Sequence, residues 1–512
     1  MKPISRRKFL AASALSLAAT RLRAQTPAQI RTTLAIPSEA TGPHVPADFV
    51  GLSYELKELA DPSFFSAKNS GLIRAFKQIS SRGVLRLGGN TSEFSWWKPT
   101  PDSPEPKHQH TREVVGEPKA SYYAVTPDAI RNLAAFLEAT GWTCLYGINM
   151  GTNIPVRAAE EAAFVAKTLG SRLQYFQIGN EVDLFGHHLR DPQTWSAQTY
   201  LAEWLSLARA ITARVPAAHF GMPDIAIDMS WLPQIVAAWD SVQNRPHVTR
   251  LTHHYYFGGP PSNPEVNIPN LLKPATMAKV QGMADTAAAA AAKMGVRVRM
   301  TEGNTCYRGG KPGVSDVFAA ALWAADYSLF LAANNYSGIN LHGGTGPIIA
   351  SGLGGIMFGD QVLRDQGATP EQIATHPHAY YSPIAEFDST YVLEPVAYGL
   401  IFAGLMAGGT LIHADLTAEL QAAGINATAY AAKLPGRQTS VVVLNKDMEN
   451  DLALRLDFGA ARTGAVKIDT LRAPSLESRE ARIARAANSG RLNRGTFSTL
   501  VPRASGLRVT ID

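Results

Sequence analysis

Short runs rich in β-branched and aromatic residues, each stopped by Gly, Asn or Pro, recur along the chain as far as Leu341. In order they are Phe49 to Tyr54, Val84 to Leu87, Cys144 to Asn149, Leu173 to Ile178, His219 to Met222, Val248 to Tyr256, Val296 to Thr301 and Ser337 to Leu341. Segments of helical periodicity lie between them: Lys68 to Ser80, Pro127 to Thr140, Pro155 to Leu169, Trp195 to Arg214, Trp231 to Asp240, Ala275 to Met294 and Val314 to Asn334. Thr126-Pro127-Asp128 and Asn153-Ile154-Pro155 put a capping residue ahead of a proline in the first turn. Eight strands alternating with helices predict an α/β fold, a (β/α)8 TIM barrel over residues 48–400. A doubly wound open sheet would carry a glycine-rich phosphate turn after its first strand, and Phe49-Val50-Gly51-Leu52-Ser53-Tyr54 has none.

Past Ile401 the pattern changes. Leu411 to Leu416, Asn426 to Ala431, Ser440 to Leu444, Leu452 to Phe458, Val466 to Leu471 and Leu507 to Ile511 are short runs separated by turns such as Pro435-Gly436, with no helix-length pattern between them. They predict an all-β sandwich over residues 401–512, with the 25–47 segment, through Arg31 to Ile36, returning to join it. From Gly343 to Ser382 the chain is rich in Gly, Pro and His, the composition of a long functional loop placed by the eighth strand over the barrel mouth.

Hydrophobic residues at 46% and charged ones at 18% describe an ordinary globular chain. The net charge of +6 is spread out, so a nucleic-acid partner is not expected; mild affinity for acidic polysaccharide fits the same charge. Ser5-Arg6-Arg7-Lys8-Phe9-Leu10, an apolar stretch to Ala19 and Leu22-Arg23-Ala24 have the form of a twin-arginine export signal over residues 1–24. A periplasmic or secreted protein, not held at a membrane after cleavage, is the expectation. Cys144 and Cys306 read as unpaired, buried thiols. No Cys cluster or His pair at i, i+4 occurs, so neither metal nor cofactor is expected.

The candidate chemistry lies in two glutamates where apolar runs stop in Gly/Asn turns. Glu181 stands in Gly179-Asn180-Glu181 after the fourth strand, and Glu302 in Thr301-Glu302-Gly303-Asn304 at the end of the seventh. Those strand ends place both carboxyls at the mouth of one barrel, the pair that glycoside hydrolysis with retention requires. Asn180 offers a hydrogen bond to a sugar hydroxyl. Asn90 either binds a hydroxyl or caps its turn.

These motifs resemble the acid/base and nucleophile motifs of the clan A retaining glycoside hydrolases. Within that clan the chain resembles glycoside hydrolase family 79, the β-glucuronidase and heparanase family. Leu85-Arg86-Leu87-Gly88-Gly89-Asn90, His253-His254-Tyr255-Tyr256, Glu302 to Gly310, Asn340-Leu341-His342-Gly343-Gly344 and Tyr381-Ser382-Pro383-Ile384 carry that likeness. It implies Glu181 as acid/base, Glu302 as nucleophile and Tyr256 as the tyrosine steadying nucleophile or sugar. It further implies that Tyr307 and Tyr381 (with Tyr380 as rival), together with the main chain at Gly309 and Gly310, read a uronic acid carboxylate. Lys311 adds a possible positive charge. His342 is either a core histidine or a pocket residue. The leading expectation is an exo-β-glucuronidase acting on a glucuronic-acid-bearing carbohydrate; the alternatives are a neutral-sugar hydrolase, such as a β-glucosidase or arabinofuranosidase, and a silent carbohydrate-binding barrel.

Overall fold

The computed structural model describes residues 28–107, 123–344, 367, 379–387, 390–486 and 490–512. The expected export signal, and positions 345–366 and 368–378 of the expected mouth loop, lie outside them.

Eight parallel strands close into a barrel in chain order: Val50–Glu55, Val84–Gly88, Thr143–Ile148, Leu173–Ile178, His219–Ile225, His247–Gly258, Arg297–Cys306 and Ile339–His342. The eighth pairs back onto the first through Ile339↔Val50 to His342↔Ser53. With helices outside and side chains inside, these strands are buried on both faces, which explains why they read as continuous rather than alternating apolar runs. The helices follow the sequence closely. Pro127–Thr140 begins where the Thr126 side chain accepts from the Ala129 N–H and ends at left-handed Gly141. Asn153 does not act as the expected cap: it sits at φ 46°, and the helix Pro155–Leu169 starts from Ile154 without a side-chain cap. The fifth strand runs three residues beyond the expected Met222, to Ile225, and so carries Asp224 to the mouth.

The C-terminal region holds a six-stranded sheet, in spatial order Thr410–Leu411, Ala427–Lys433, Thr439–Asn445, Ser505–Ile511, Val466–Arg472, Arg482–Arg485. It packs on a three-stranded sheet in which Gln29–Ala35 lies parallel to Asp451–Asp457. Alternation assigns the faces: Val441 and Val443 point into the inter-sheet core with Leu452, Leu454 and Leu456. Val442 and Leu444 instead join the barrel core beside Leu400 and Phe402. One expectation fails here. Leu411 to Leu416 is not a strand beyond Leu411; Asp415 caps a helix, Leu416–Ala422, whose Leu416 and Leu420 are buried one turn apart. Two further strands, Arg482–Arg485 and Thr496–Val501, were too polar to read from the sequence. Helix Pro395–Gly404 crosses Phe318–Ala333 so closely that a Cβ on Gly399 would lie 2.2 Å from the Ala321 carbonyl oxygen. A buried Lys446–Asp326 ion pair, with Thr428 and Tyr430 donating to the same carboxylate, further ties sheet to barrel. Both cysteines are free and buried.

Candidate active site

The two glutamates meet at the barrel mouth by different routes. The seventh strand is irregular between Met300 and Glu302, where its register with the sixth shifts. Such a bulge re-aims side chains: Thr301 reaches Asp224 inside the barrel, and Glu302, the next residue, also points inward. Glu181 lies three residues past the fourth strand in the left-handed region, φ 51° and ψ 46°. That conformation costs a non-glycine residue on the order of 1–3 kcal/mol. Two bonds hold it: the Glu181 N–H donates to the Asp224 carbonyl at 2.8 Å, and the Asn180 N–H to the Glu93 carboxylate at 2.9 Å.

A buried charge network surrounds the pair. The Arg86 guanidinium, wholly buried on the second strand, donates to Glu302 Oε2 at 2.5 Å, Asp224 Oδ2 at 2.7 Å, Asn180 Oδ1 at 2.5 Å and Ser53 Oγ at 2.9 Å. Tyr256 donates its hydroxyl to Glu302 Oε1 at 2.8 Å. His254 stands between two carboxylates, with Nδ1 3.2 Å from Glu181 Oε1 and Nε2 3.1 Å from Asp224 Oδ2. Burial alone would make that imidazole harder to protonate, but Asp224 and Glu302 outweigh it and push His254 up to about 10. A ligand oxygen of Glu181, one of Glu302 and a ring nitrogen of His254 lie within 4.8 Å of one another.

The two carboxyls are driven apart in acidity. Burial, then the nearby Glu302 charge, raises Glu181, only partly offset by its His254 contact. Burial pushes Glu302 the same way, yet His342, His254 and Arg86, with the Tyr256 hydrogen bond, outweigh it and hold it at about 2. One group therefore keeps a proton where the other has lost it.

The remaining expected residues fall into two groups. Tyr381 and His342 are buried beside Tyr256 and Glu302: the Tyr381 ring centroid lies 6.3 Å from Tyr256 and 5.9 Å from His342. His342 Nδ1 is 3.0 Å from Ser53 Oγ and 3.7 Å from Glu302 Oε2, so it is part of the site. Tyr307 is 38% exposed at the rim, its ring perpendicular to Tyr256. Gly309 and Gly310 are both left-handed, at φ 81° and 82°; the Gly309 carbonyl accepts from the Tyr381 N–H, locking the two rim segments together. Asn90 accepts from the Asn180 amide at 3.0 Å, which leaves Asn180 one N–H for a ligand. Lys311 is not available as a site charge: its ammonium donates to the Asn263 and Val266 carbonyls at 3.3 and 2.8 Å, bracing the neighbouring loop. Tyr380 is buried as well.

Three contributors escaped the sequence reading. Arg86 and His254 lay inside quoted motifs without a role, and Asp224 lay beyond the point where the fifth strand was ended. Glu93 is the fourth surprise. Its carboxylate, 2% exposed, accepts from the backbone N–H of Met150, Gly151 and Asn180 at 2.9, 2.6 and 2.9 Å, bolting together the turns that follow the second, third and fourth strands. Burial drives it up to about 7 despite those donors.

No family model matches the chain. It is 24% identical over 320 residues to a β-glucuronidase of Aspergillus niger, covering 58% of this chain and 56% of that protein. A Neurospora crassa β-glucuronidase is 24% identical over 354 residues, covering 60% and 59%. The chain thus spans a little over half the length of these curated relatives. Its fold is shared with a 4-O-α-L-rhamnosyl-β-D-glucuronidase of Fusarium oxysporum 12S, at TM-score 0.70 and 16% identity over 93% of this chain and all of that one. A family 51 arabinofuranosidase of Xanthomonas axonopodis pv. citri superposes at TM-score 0.63 with 14% identity, over 94% of this chain and all of that one. The resemblance to family 79 read from segments 85–90, 253–256, 302–310, 340–344 and 381–384 is met again in these comparisons, whose curated relatives, named as β-glucuronidases, match 58–60% of this chain.

Proposed function

We propose that this chain is a retaining exo-β-glucuronidase that releases terminal β-linked glucuronic acid from a glycan or glycoside, in the periplasm or outside the cell. The observation that carries the reading is the Glu181–Glu302 pair: carboxyl oxygens within 4.8 Å, one group raised and the other lowered. Retaining enzymes hold their two carboxyls about 5–5.5 Å apart, leaving no room for water between nucleophile and sugar.

In the first step a Glu302 carboxylate oxygen attacks the anomeric carbon as the glycosidic bond breaks. Glu181 delivers its proton to the departing oxygen, leaving a glycosyl ester on Glu302. Water then attacks the same carbon, Glu181 takes the water's proton, and Glu302 leaves as a carboxylate. The preference for a uronic acid rests on the rim. Tyr307 and Tyr381 offer phenols, and the left-handed Gly309-Gly310 turn offers main-chain N–H groups. The exo mode is the expectation carried by the length and composition of the segment from Gly343 to Ser382, read as a wall on one side of the cleft that favours single terminal sugars.

Parallel assays on p-nitrophenyl glucuronide and glucoside test the substrate class; glucoside turnover matching or exceeding glucuronide would refute it. Glu302→Gln is expected to lose at least about 10²-fold in kcat, and Glu181→Ala to be partly rescued on substrates with good leaving groups. Release of long fragments without free glucuronate would exclude the exo mode, and finding the protein in the cytoplasmic fraction would exclude export.

A further inference from the structure

The helix Phe318–Ala333, which leads to the eighth barrel strand, is capped by the other domain. No side chain caps its first turn among the described residues. Its Phe318 and Ala319 N–H groups donate instead to the Ser478 and Leu476 carbonyls, at 2.7 and 3.0 Å. Both acceptors lie in the turn that joins Val466–Arg472 to Arg482–Arg485 in the C-terminal sheet. Leu476 is buried with the barrel core. The turn is thus anchored by an apolar side chain and by two helix-end donors that it satisfies.

The same turn delivers a cation. Arg479 pairs with Asp316 at 2.7 Å, an exposed guanidinium on a buried carboxylate. Asp316 lies near the end of the loop that runs from Glu302's strand through Tyr307, Gly309 and Gly310, and its other oxygen accepts from the Gly313 N–H at 2.6 Å. A second buried carboxyl stands behind the other rim segment, 381–383. Glu394 donates its N–H to the Pro383 carbonyl at 3.0 Å, at the base of the hairpin formed by Ile384–Phe387 and Thr390–Leu393. The two rim segments touch where the Tyr381 N–H donates to the Gly309 carbonyl at 3.3 Å.

Each rim segment therefore backs onto a carboxyl, and the two carboxyls sense one another. Burial pushes Glu394 up to about 7, the Asp316 charge adds to that rise, and Arg479 works against both. Burial raises Asp316 as well, with Arg479 the largest offset. One guanidinium from the C-terminal sheet thus acts on the supports of both segments. Lys311, in the same loop, is committed elsewhere, to the Asn263 and Val266 carbonyls.

From this placement we propose that Arg479 is a positioning residue, through which the C-terminal sheet sets the spacing of the two rim segments that read the substrate's carboxylate. This rests on the uronic acid reading of the site, which it extends from the barrel mouth to the second domain. Arg479 acts through Asp316 and the loop behind Tyr307, so its removal should weaken binding without touching the bond-breaking pair.

The test is made on the full chain with two readouts. In Arg479→Gln, KM for p-nitrophenyl glucuronide should rise about three- to tenfold while kcat stays within about twofold, the pattern of a contact made equally in ground and transition states. Amide hydrogen exchange in segments 307–316 and 381–383 should quicken in the same variant. Arg485→Gln is the control. It removes the same charge from a matching pair on the same sheet, exposed Arg485 on buried Asp469 at 2.9 Å, and should alter neither readout. KM or exchange left as in the parent, a fall confined to kcat, or equal changes in Arg485→Gln would each overturn the role of Arg479. A parent chain that cleaves no glucuronide refutes the proposed activity, and the exchange comparison then decides the role of Arg479 alone.

Discussion

The barrel buries two arginines, one near its mouth and one lower down, and treats them in opposite ways. Arg86 is surrounded by acids and amides: Glu302, Asp224 and Asn180 all accept from it. Arg299, 2% exposed on the seventh strand, meets only neutral acceptors, Asn340 Oδ1 at 2.7 Å and the Ser337 carbonyl at 3.3 Å. Its Nη2 has no partner among the described residues, nor do Tyr175 Oη and Gln177 Oε1 on the fourth strand. Burial makes both guanidiniums harder to keep charged; Asp224 and Glu302 reverse that for Arg86, whereas Tyr175 and Asp48 offset it only in part for Arg299. The lesson concerns purpose. Isolated charge in a barrel interior is tolerated as packing, while charge gathered in opposing pairs favours an ionised Glu302 beside a protonated Glu181, the states the proposed mechanism needs.

The strongest break in that contrast comes from Arg86→Met. It leaves Asp224 and Glu302 buried with fewer counter-charges, a loss expected to cost about 3–5 kcal/mol of stability. Glu302 loses a cation that keeps it ionised, so kcat/KM on an aryl glucuronide should fall on the order of 10²–10³-fold, with the acid limb of the rate profile moved to higher pH. Denaturant melts and a pH–rate profile measure both; near-normal stability with normal kinetics would dissolve the distinction between the two arginines.

Next in size is Glu93, which shapes the mouth without carrying its charge. Glu93→Ala leaves three buried N–H groups without an acceptor; with water entering the vacated space the expected cost is about 1–3 kcal/mol in all. Because Asn180 leads directly into strained Glu181, kcat should fall more than KM rises. Glu93→Gln keeps the shape and removes the charge, at the cost of turning an NH2 donor toward either the Asn180 N–H or the Met150 and Gly151 N–H pair. The folded protein holds the Glu93 proton up to about 7, while the unfolded chain releases it near ~4.3. Between those values the unfolded state binds fewer protons, so this group makes stability fall as pH rises. Glu93→Gln should flatten that decline in a series of denaturation midpoints from pH 4.5 to 7; an unchanged slope would show that Glu93 is ionised throughout.

How far the sequence discloses such residues depends on where their partners sit. Glu181 and Glu302 were legible because a strand that stops at a carboxylate in a Gly/Asn turn is a local pattern. The barrel was legible for the same reason, strand by strand. Arg86 could be seen but not interpreted, since its acceptors come from the first, fifth and seventh strands and the turn after the fourth. Asp224 was lost because Pro223 reads as the end of a strand, although the fifth strand continues through it to Ile225. Glu93 looks like a solvated acid until three turns fold over it. The helix at Leu416–Ala422 was hidden by length: seven residues with two buried leucines resemble a short strand as much as a helix.

A smaller effect separates the two cations nearest Glu302. His342→Gln removes the charge that does most to lower the nucleophile while keeping a hydrogen-bonding side chain beside Ser53. The acid limb should move to higher pH, and the alkaline limb, set by Glu181, should hardly move. A shift of the alkaline limb alone would reverse the assignment of acid and nucleophile.

The smallest expected effect is the most discriminating, because it falls on the other arginine. Arg299→Met removes a guanidinium that pairs with no carboxylate within salt-bridge distance among the described residues. Replacing a buried polar group by an apolar side chain of similar length can be neutral or stabilising when nothing is left unpaired. Here the exchange is close to even: the unpaired Nη2 goes, Asn340 Oδ1 and the Ser337 carbonyl lose their donor, and the Asn340 amide still bonds the Leu52 and Val84 carbonyls at 3.0 and 2.9 Å. The stability change should therefore stay within about 1.5 kcal/mol of the parent, and kcat/KM within about threefold, since the mouth network does not include this residue. Should Arg299→Met instead cost the ~3–5 kcal/mol expected of Arg86→Met, Asp48, the carboxylate that acts on Arg299 from beyond salt-bridge distance, would have to serve as its counter-ion, and the division between packing charge and working charge would fail.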